Sequence, residues 1–205
     1  MIHEPLVILD FETTGLSPGR GDRITEIGLV RIADGRITDR YQSLVNCNVR
    51  VPPFITAYTG ITQRMVDTAP AVEQVMHEAI AFIAATPVVA HNASFDQRFF
   101  ERECALLRLG MASEPFICSM RLSRRIYPAL QGHSLAALAR ALRLQSCGTA
   151  HRAAADAEMT AQLMLQLGHD LAAMQQGISV TAGLMRHVMH MPVAGVQAGL
   201  QKLCA

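Results

Sequence analysis

The chain has 205 residues, 50% of them hydrophobic, with a mean hydropathy of +0.22 and a net charge of +1. That is apolar material for one ordinary domain and an appendage, and the near-neutral balance neither requires nor forbids a polyanionic partner. Five scattered cysteines (Cys47, Cys104, Cys118, Cys147, Cys204) show no Cys-x-x-Cys or Cys/His spacing that suggests zinc, and their odd number at this length argues against a disulfide framework. The opening MIHEPLVILDFE is charged too soon for a signal peptide, and nothing approaches the ~18 uninterrupted apolar residues of a membrane span, so no membrane association and a reducing cytoplasm are expected.

Leu6 to Leu9 is a short apolar run with β-branched members, which predicts a buried strand ending in Asp10-Phe11-Glu12-Thr13-Thr14-Gly15. Gly15 to Asp22 (GLSPGRGD) is turn chemistry. Ile24 to Ala33 reads as a second strand, and Asp34-Gly35 as the hairpin turn into a third from Arg36 to Val45. Asn46 to Pro70 is expected to be a long irregular segment centred on Tyr58-Thr59-Gly60-Ile61-Thr62. Ala71 to Ala85 carries Val72, Val75, Met76, Ala79, Ile80 and Ile83 at helical spacing.

Pro87 to Ala90 predicts a short buried strand that runs into His91-Asn92-Ala93. Ser94 with Gln97 has the form of a capping box opening a helix that runs to about Leu109 and stops at Gly110. Pro115 to Ser119 is a further strand, followed by a short helix halted by Pro128. Helices over Leu135 to Leu144 and Arg152 to Leu167 flank a loop at Ser146 to Ala150. A meander followed by crossovers predicts an α/β fold: a mixed five-stranded sheet, antiparallel meander plus parallel crossovers, flanked by helices. Residues 1–169 form the expected domain; 170–205 read as a C-terminal helical appendage that packs on the domain or on a partner.

The chemistry collects around acids. On a strand, residues i and i+2 share a face, so Asp10 and Glu12 project side by side. Two such carboxylates repel, and desolvating both is costly unless a cation sits between them; oxygen ligands favour Mg²⁺ or Mn²⁺. Asp96 falls in the first turn of a helix at a strand's carboxyl end, although the helix dipole alone would welcome an acid there. Asp156 sits five residues after His151, a spacing of ~140° on a continuous helix, so the two converge only if His151 lies on the loop before it. A base on a loop can reach a water molecule and later release its proton.

In this order DFETTG, HNASFD and HRAAAD closely resemble the three motifs of the DnaQ-like (DEDDh) 3′–5′ exonucleases, a family that includes the epsilon proofreading subunit of bacterial DNA polymerase III. ITEIGLVRI and YTGIT also look like family features, and the resemblance spans about Leu6 to Leu167. It implies a ribonuclease H-like fold, Asp10, Glu12, Asp96 and Asp156 as ligands of two Mg²⁺ (or Mn²⁺), and His151 as general base. It further implies removal of nucleoside 5′-monophosphates from single-stranded DNA 3′ ends. Phe11, Thr13, Thr14, Gly15 and Leu16 resemble the turn that holds the terminal nucleotide, and Asn92 and Phe95 sit where the second motif meets the strand. Arg98, Arg102, Arg121, Arg124, Arg125 and Arg152 are candidate phosphate contacts, with a solvated face as the plain alternative for RLSRR.

RNA trimming, as by ribonuclease T or oligoribonuclease, is the nearest alternative; the Thr13-Thr14 pair leans toward DNA. A non-catalytic binding subunit predicts loss of one of the five polar residues, and all are present. An aspartyl-phosphate phosphatase wants Asp in place of Glu12 and a downstream lysine, where only Lys202 exists. The tail carries no QxxLF-like clamp-binding peptide, so a stand-alone or accessory exonuclease is expected, with a DNA polymerase or another replication or repair protein as the conceivable partner.

Overall fold

The computed structural model describes residues 2, 4–110, 114–145 and 151–203; the loop expected at 146–150, Cys147 and Cys204 lie outside them. Five strands form one sheet in the order β3-β2-β1-β4-β5: β1 (Leu6–Thr13), β2 (Ile24–Ala33), β3 (Arg36–Leu44), β4 (Val88–Ala90) and β5 (Ile117–Cys118). β1 pairs antiparallel with β2 and parallel with β4, and β4 is parallel to β5, which is the mixed sheet expected. β1 is central, with helices over its faces, so Leu6, Val7, Ile8 and Leu9 are all fully buried. Each contributes about 2 kcal/mol of burial. The β2–β3 turn closes at Asp34 and Gly35, with φ of 52° and 70°, the two positive values a primed hairpin turn needs.

The expected irregular segment at 46–70 is a correction: it holds two helices, α1 (Pro53–Thr59) and α2 (Gln63–Asp67). Pro53 suits a first helical turn, where its missing N–H costs nothing, and Gly60 ends α1 in the left-handed region. Thr62 then caps α2 by accepting from the Met65 N–H. These short helices close over a satellite core of Cys47, Val51, Ile55, Ile61 and Val66.

α3 (Val72–Ile83) and α4 (Ser94–Leu107) follow. The capping box before α4 does not form, because Ala93 already has helical backbone and the Asn92 carbonyl (Asn92 φ 63°) accepts the Phe95 N–H. Gln97 instead accepts from the Phe116 N–H and donates to Glu101. α4 stops at Arg108 in the left-handed region, short of Gly110. β5 is shorter than expected, since Ser119 already begins α5 (Ser119–Ile126). Then come α6 (Leu135–Leu142), α7 (Ala153–Met174), α8 (Ala182–His190) and α9 (Val196–Leu203).

α7 lies on β1 and β2, which requires a close approach: a Cβ on Gly28 would overlap the Ala153 carbonyl. The helix is longer than expected and runs unbroken across 169–170. Met185, Val188 and Met189 of α8 join the core of the sheet. Among the described residues no helix is long and apolar enough to cross a membrane.

Candidate active site

β1 carries Asp10 and Glu12 to the end of the sheet on one side of the strand, and the first turn of α7 brings Asp156 to meet them. One carboxylate oxygen from each of the three lies within 4.8 Å of the others. Asp96, from the first turn of α4, is 3% exposed, and its Oδ1 accepts the Phe11 N–H at 3.1 Å. It therefore locks onto the backbone between Asp10 and Glu12, beside the group of three, not within it.

The electrostatics of this arrangement are strained. Burial, followed by the charges of Asp96, Asp156, Glu12 and Glu26, holds the Asp10 carboxyl well above the usual carboxylate range. Burial, then Asp156 and Glu26, pushes Glu12 up to about 7 against the pull of Arg152. Asp96 rises to about 8 through burial, despite the hydrogen bond from Phe11. Asp156 is also raised by burial, with the His151 N–H opposing. Crowded, half-desolvated acids facing one another are a donor set for a hard divalent cation, whose charge removes the repulsion.

His151 sits on the segment before α7, not in the helix. Its φ is 61°, its N–H donates to Asp156 Oδ2 at 3.2 Å, and its ring lies 4.0 Å from that of Tyr58, tilted 33°. The start of α7 is fixed by Glu26, which stands opposite Glu12 on β2 and is fully buried. Glu26 accepts two bonds from the Arg152 guanidinium, at 2.6 and 3.0 Å, and one from the Ala153 N–H at 3.0 Å. Arg152 thereby has two of its guanidinium nitrogens engaged with an acid. Sequence reasoning passed over Glu26; the available signal was a lone acid inside the otherwise apolar ITEIGLV.

Past Glu12 the chain turns tightly. Thr13 and Thr14 are buried: Thr13 Oγ1 donates to the Gly15 carbonyl at 2.6 Å, and Thr14 Oγ1 accepts the Arg23 N–H at 3.0 Å. Gly15 has no room for a side chain, because a Cβ would run into the Asp22 carboxylate. Asp22 in turn accepts the Ser17 N–H at 2.9 Å. The turn thrusts Leu16 outward, 77% exposed, at the rim of a cleft of about 480 Å³. Phe11, Glu12, Thr13, Gly15 and Phe95 line it from one side, and Phe54 and Tyr58 of α1, both exposed, from the other.

Phe54 was not singled out from sequence, and Tyr58 only as the first residue of YTGIT, because their i, i+4 spacing shows one face only once the segment is a helix. Phe95 packs its ring on Phe99 at 5.0 Å between centroids, tilted 47°, and so serves the core as well as the cleft. Asn92 lines a second groove, with Arg121, Arg124 and Arg125. Arg98 donates to its own helix at the Ser94 carbonyl.

The profile of the RNase_T exonuclease family matches residues 7–164. The 3′-5′ exonuclease DinG of Bacillus subtilis is 34% identical over 167 residues, covering 82% of this chain and 18% of that protein. A DNA polymerase III subunit epsilon-like protein of Rhodobacter capsulatus is 38% identical over 164 residues, covering 78% and 23%. A PolC-type DNA polymerase III of Halalkalibacterium halodurans is 36% identical over 170 residues, covering 83% and 12%. The chain thus spans less than a quarter of the length of these relatives. Among solved structures, exonuclease X in complex with 5′ overhanging duplex DNA superimposes with a TM-score of 0.71 at 30% identity, over 90% of this chain and 99% of that one. The nuclease domain of 3′hExo, a DEDDh family member bound to rAMP, shares the fold with a TM-score of 0.71 at 22% identity, over 82% and 93%.

Proposed function

The chain belongs to the RNase_T exonuclease family, of the DEDDh kind, and from that premise we propose that it hydrolyses the terminal phosphodiester at the 3′ end of single-stranded DNA, releasing nucleoside 5′-monophosphates. The observation that carries this reading is the junction of two features: three carboxylates converging within 4.8 Å, and next to them an apolar cleft walled by exposed Leu16, Phe54 and Tyr58. A terminal nucleotide offers both halves of the matching chemistry, a base face for the aromatic wall and a phosphate beside the acids.

Asp10, Glu12 and Asp156, with Asp96 behind them, would hold the divalent cations, two Mg²⁺ or Mn²⁺. The raised carboxyls fit that role, because bound cations would offset the burial and the mutual repulsion that hold Asp10 and Glu12 above the usual carboxylate range. When bound, the metal pair supplies Lewis-acid stabilisation of the phosphate and a more acidic water. The protein's own residues do the rest. Leu16 and Tyr58 hold the terminal base, the Thr13–Gly15 turn keeps that wall at a fixed distance from Glu12, and His151, free of the helix, accepts the proton of the attacking water.

The polymerase relatives raise association with a replicase; a stand-alone or accessory role remains our reading, and a pull-down with purified polymerase subunits tests it. A cytoplasmic setting accords with the buried free thiols of Cys47, Cys104 and Cys118.

The direct test is Mg²⁺-dependent shortening of a 5′-labelled oligonucleotide, with matched DNA and RNA strands. Wild-type protein is expected to shorten DNA from its 3′ end, faster than RNA, and Asp10→Ala and His151→Ala to lose at least a hundredfold in rate. Undiminished activity in both variants removes the mechanism, and equal or faster RNA trimming removes the substrate assignment.

A further inference from the structure

Three arginines of α5 stand over a groove that plays no part in the hydrolytic site. Arg121, Arg124 and Arg125 line about 500 Å³ together with Asn92, Ser94 and Gln97 from the start of α4. Among the described residues no carboxylate lines this groove. Of the acids on the flanking segments, Glu101 accepts from the amide of groove-lining Gln97 at 2.7 Å, and Glu114 pairs with Arg186 at 2.5 Å.

The arginines rest on a ring nitrogen, backbone carbonyls and a sulfur instead. Arg121 donates to His190 Nδ1 at 3.1 Å, Arg125 to the carbonyls of Met191 and Arg121 at 3.1 and 3.2 Å, and Arg124 to the Met120 sulfur at 3.8 Å. Like charges within two turns of one helix repel, and burial together with Arg121 and Arg124 lowers the Arg125 pKa. Their guanidinium groups are thus positioned in advance with the charge uncompensated, a state suited to an incoming polyanion.

Continuity identifies the anion. The aromatic cleft ends at Phe95 and the arginine groove begins at Asn92–Ser94, so only the first turn of α4, which bears Asp96, separates them. A strand whose 3′ nucleotide fills the cleft would carry its next phosphates across that turn. We infer that the groove is the track for phosphates on the 5′ side of the scissile bond, which makes the protein favour strands of several nucleotides over dinucleotides. This inference rests on the exonuclease reading above.

The experiment separates the two claims. Binding of 5′-fluorescein-labelled dT20 is followed by fluorescence anisotropy in EDTA across a salt series, for wild type, Arg121→Ala/Arg124→Ala and the control Arg36→Ala at the far end of the sheet. Two lost phosphate contacts make the slope of log Kd against log salt shallower by about 1.4 and raise Kd roughly 20-fold at 0.1 M salt, while Arg36→Ala leaves both as in wild type. With Mg²⁺ the double variant is expected to lose rate on dT20 by a similar factor and far less on the dinucleotide pTpT. An unchanged Kd and slope, or an equal loss on both substrates, overturns the track. Wild-type protein that cleaves neither substrate overturns the exonuclease reading, and the binding series still decides the groove.

Discussion

Tyr58 and His151 meet ring to ring at 4.0 Å, and the contact explains how a side chain on a strained backbone keeps its place. His151 has φ 61°, a left-handed conformation that costs a non-glycine residue about 1 kcal/mol. Its N–H is bonded to Asp156, so the aromatic contact is what steadies the ring. Tyr58→Phe keeps the ring and is expected to hold kcat within about twofold, whereas Tyr58→Ala lowers kcat roughly tenfold, about 1.4 kcal/mol in the barrier. A role confined to stacking the base would raise KM in the alanine variant and spare kcat, and steady-state kinetics with the pH profile of kcat separates the two. Asp10 and Glu12 were legible in the sequence because a strand's period of two is rigid. Tyr58 was not, because its partner lies 93 positions away and touches it only through the tertiary fold.

At the scale of elements, the site depends on how closely α7 approaches β2. Gly28 pairs with Asp10 across the sheet, and the space its missing side chain leaves is filled by the Ala153 backbone. In Gly28→Ala the added methyl meets a carbonyl that cannot rotate away, so α7 must lift at its first turn, where Asp156 sits. Overpacking of this kind costs about 1–3 kcal/mol, and a displacement near 1 Å at the acids costs on the order of a hundredfold in rate. The measurement is paired: melting temperature and exonuclease rate on the same preparation. A variant that melts lower yet retains full rate would show that the α7 contact serves stability alone. The strands of the meander were readable almost to the residue, since Ile24–Ala33 and the Asp34-Gly35 turn carry local signals. α1 and α2 were not: seven and five residues are too short for a helical period, and Pro52 and Pro53 read as loop until seen as a helix start. The shortened β5 failed for a related reason, because Ser119 in PFICS is consumed by the helix and bonds back to the Ala90 carbonyl.

For the whole molecule, the acid cluster makes folding compete with function when no cation is bound. Glu12 rises from 4.5 to about 7 and Asp96 from 3.8 to about 8, with Asp10 and Asp156 raised as well. Between about pH 4 and 8 the folded state therefore holds protons that the unfolded chain has already released. Stability from this source is complete below about pH 4 and is lost as pH climbs to about 8. His91 opposes it: burial lowers its pKa from 6.5 to about 4, so its share is present above 6.5 and lost as pH falls toward 4. Burial also lowers the more exposed His133, but four raised acids outweigh two histidines, so in EDTA the melting temperature is expected to fall from pH 5 to pH 8, by an amount on the order of a few kcal/mol in stability. Added Mg²⁺ restores it, more at pH 8 than at pH 5, because protons and cations compete for the same oxygens. Asp10→Asn supplies the internal check. It removes a buried acid that faces Asp96, Asp156 and Glu12 without changing shape, so the metal-free variant is expected to melt above wild type at pH 8, to show a smaller Mg²⁺ response and to lose catalysis. A melting temperature in EDTA that is flat or rises across this range, with no gain from Asp10→Asn, would mean that the four acids carry no mutual strain, and the case for a cation site would lose its physical basis.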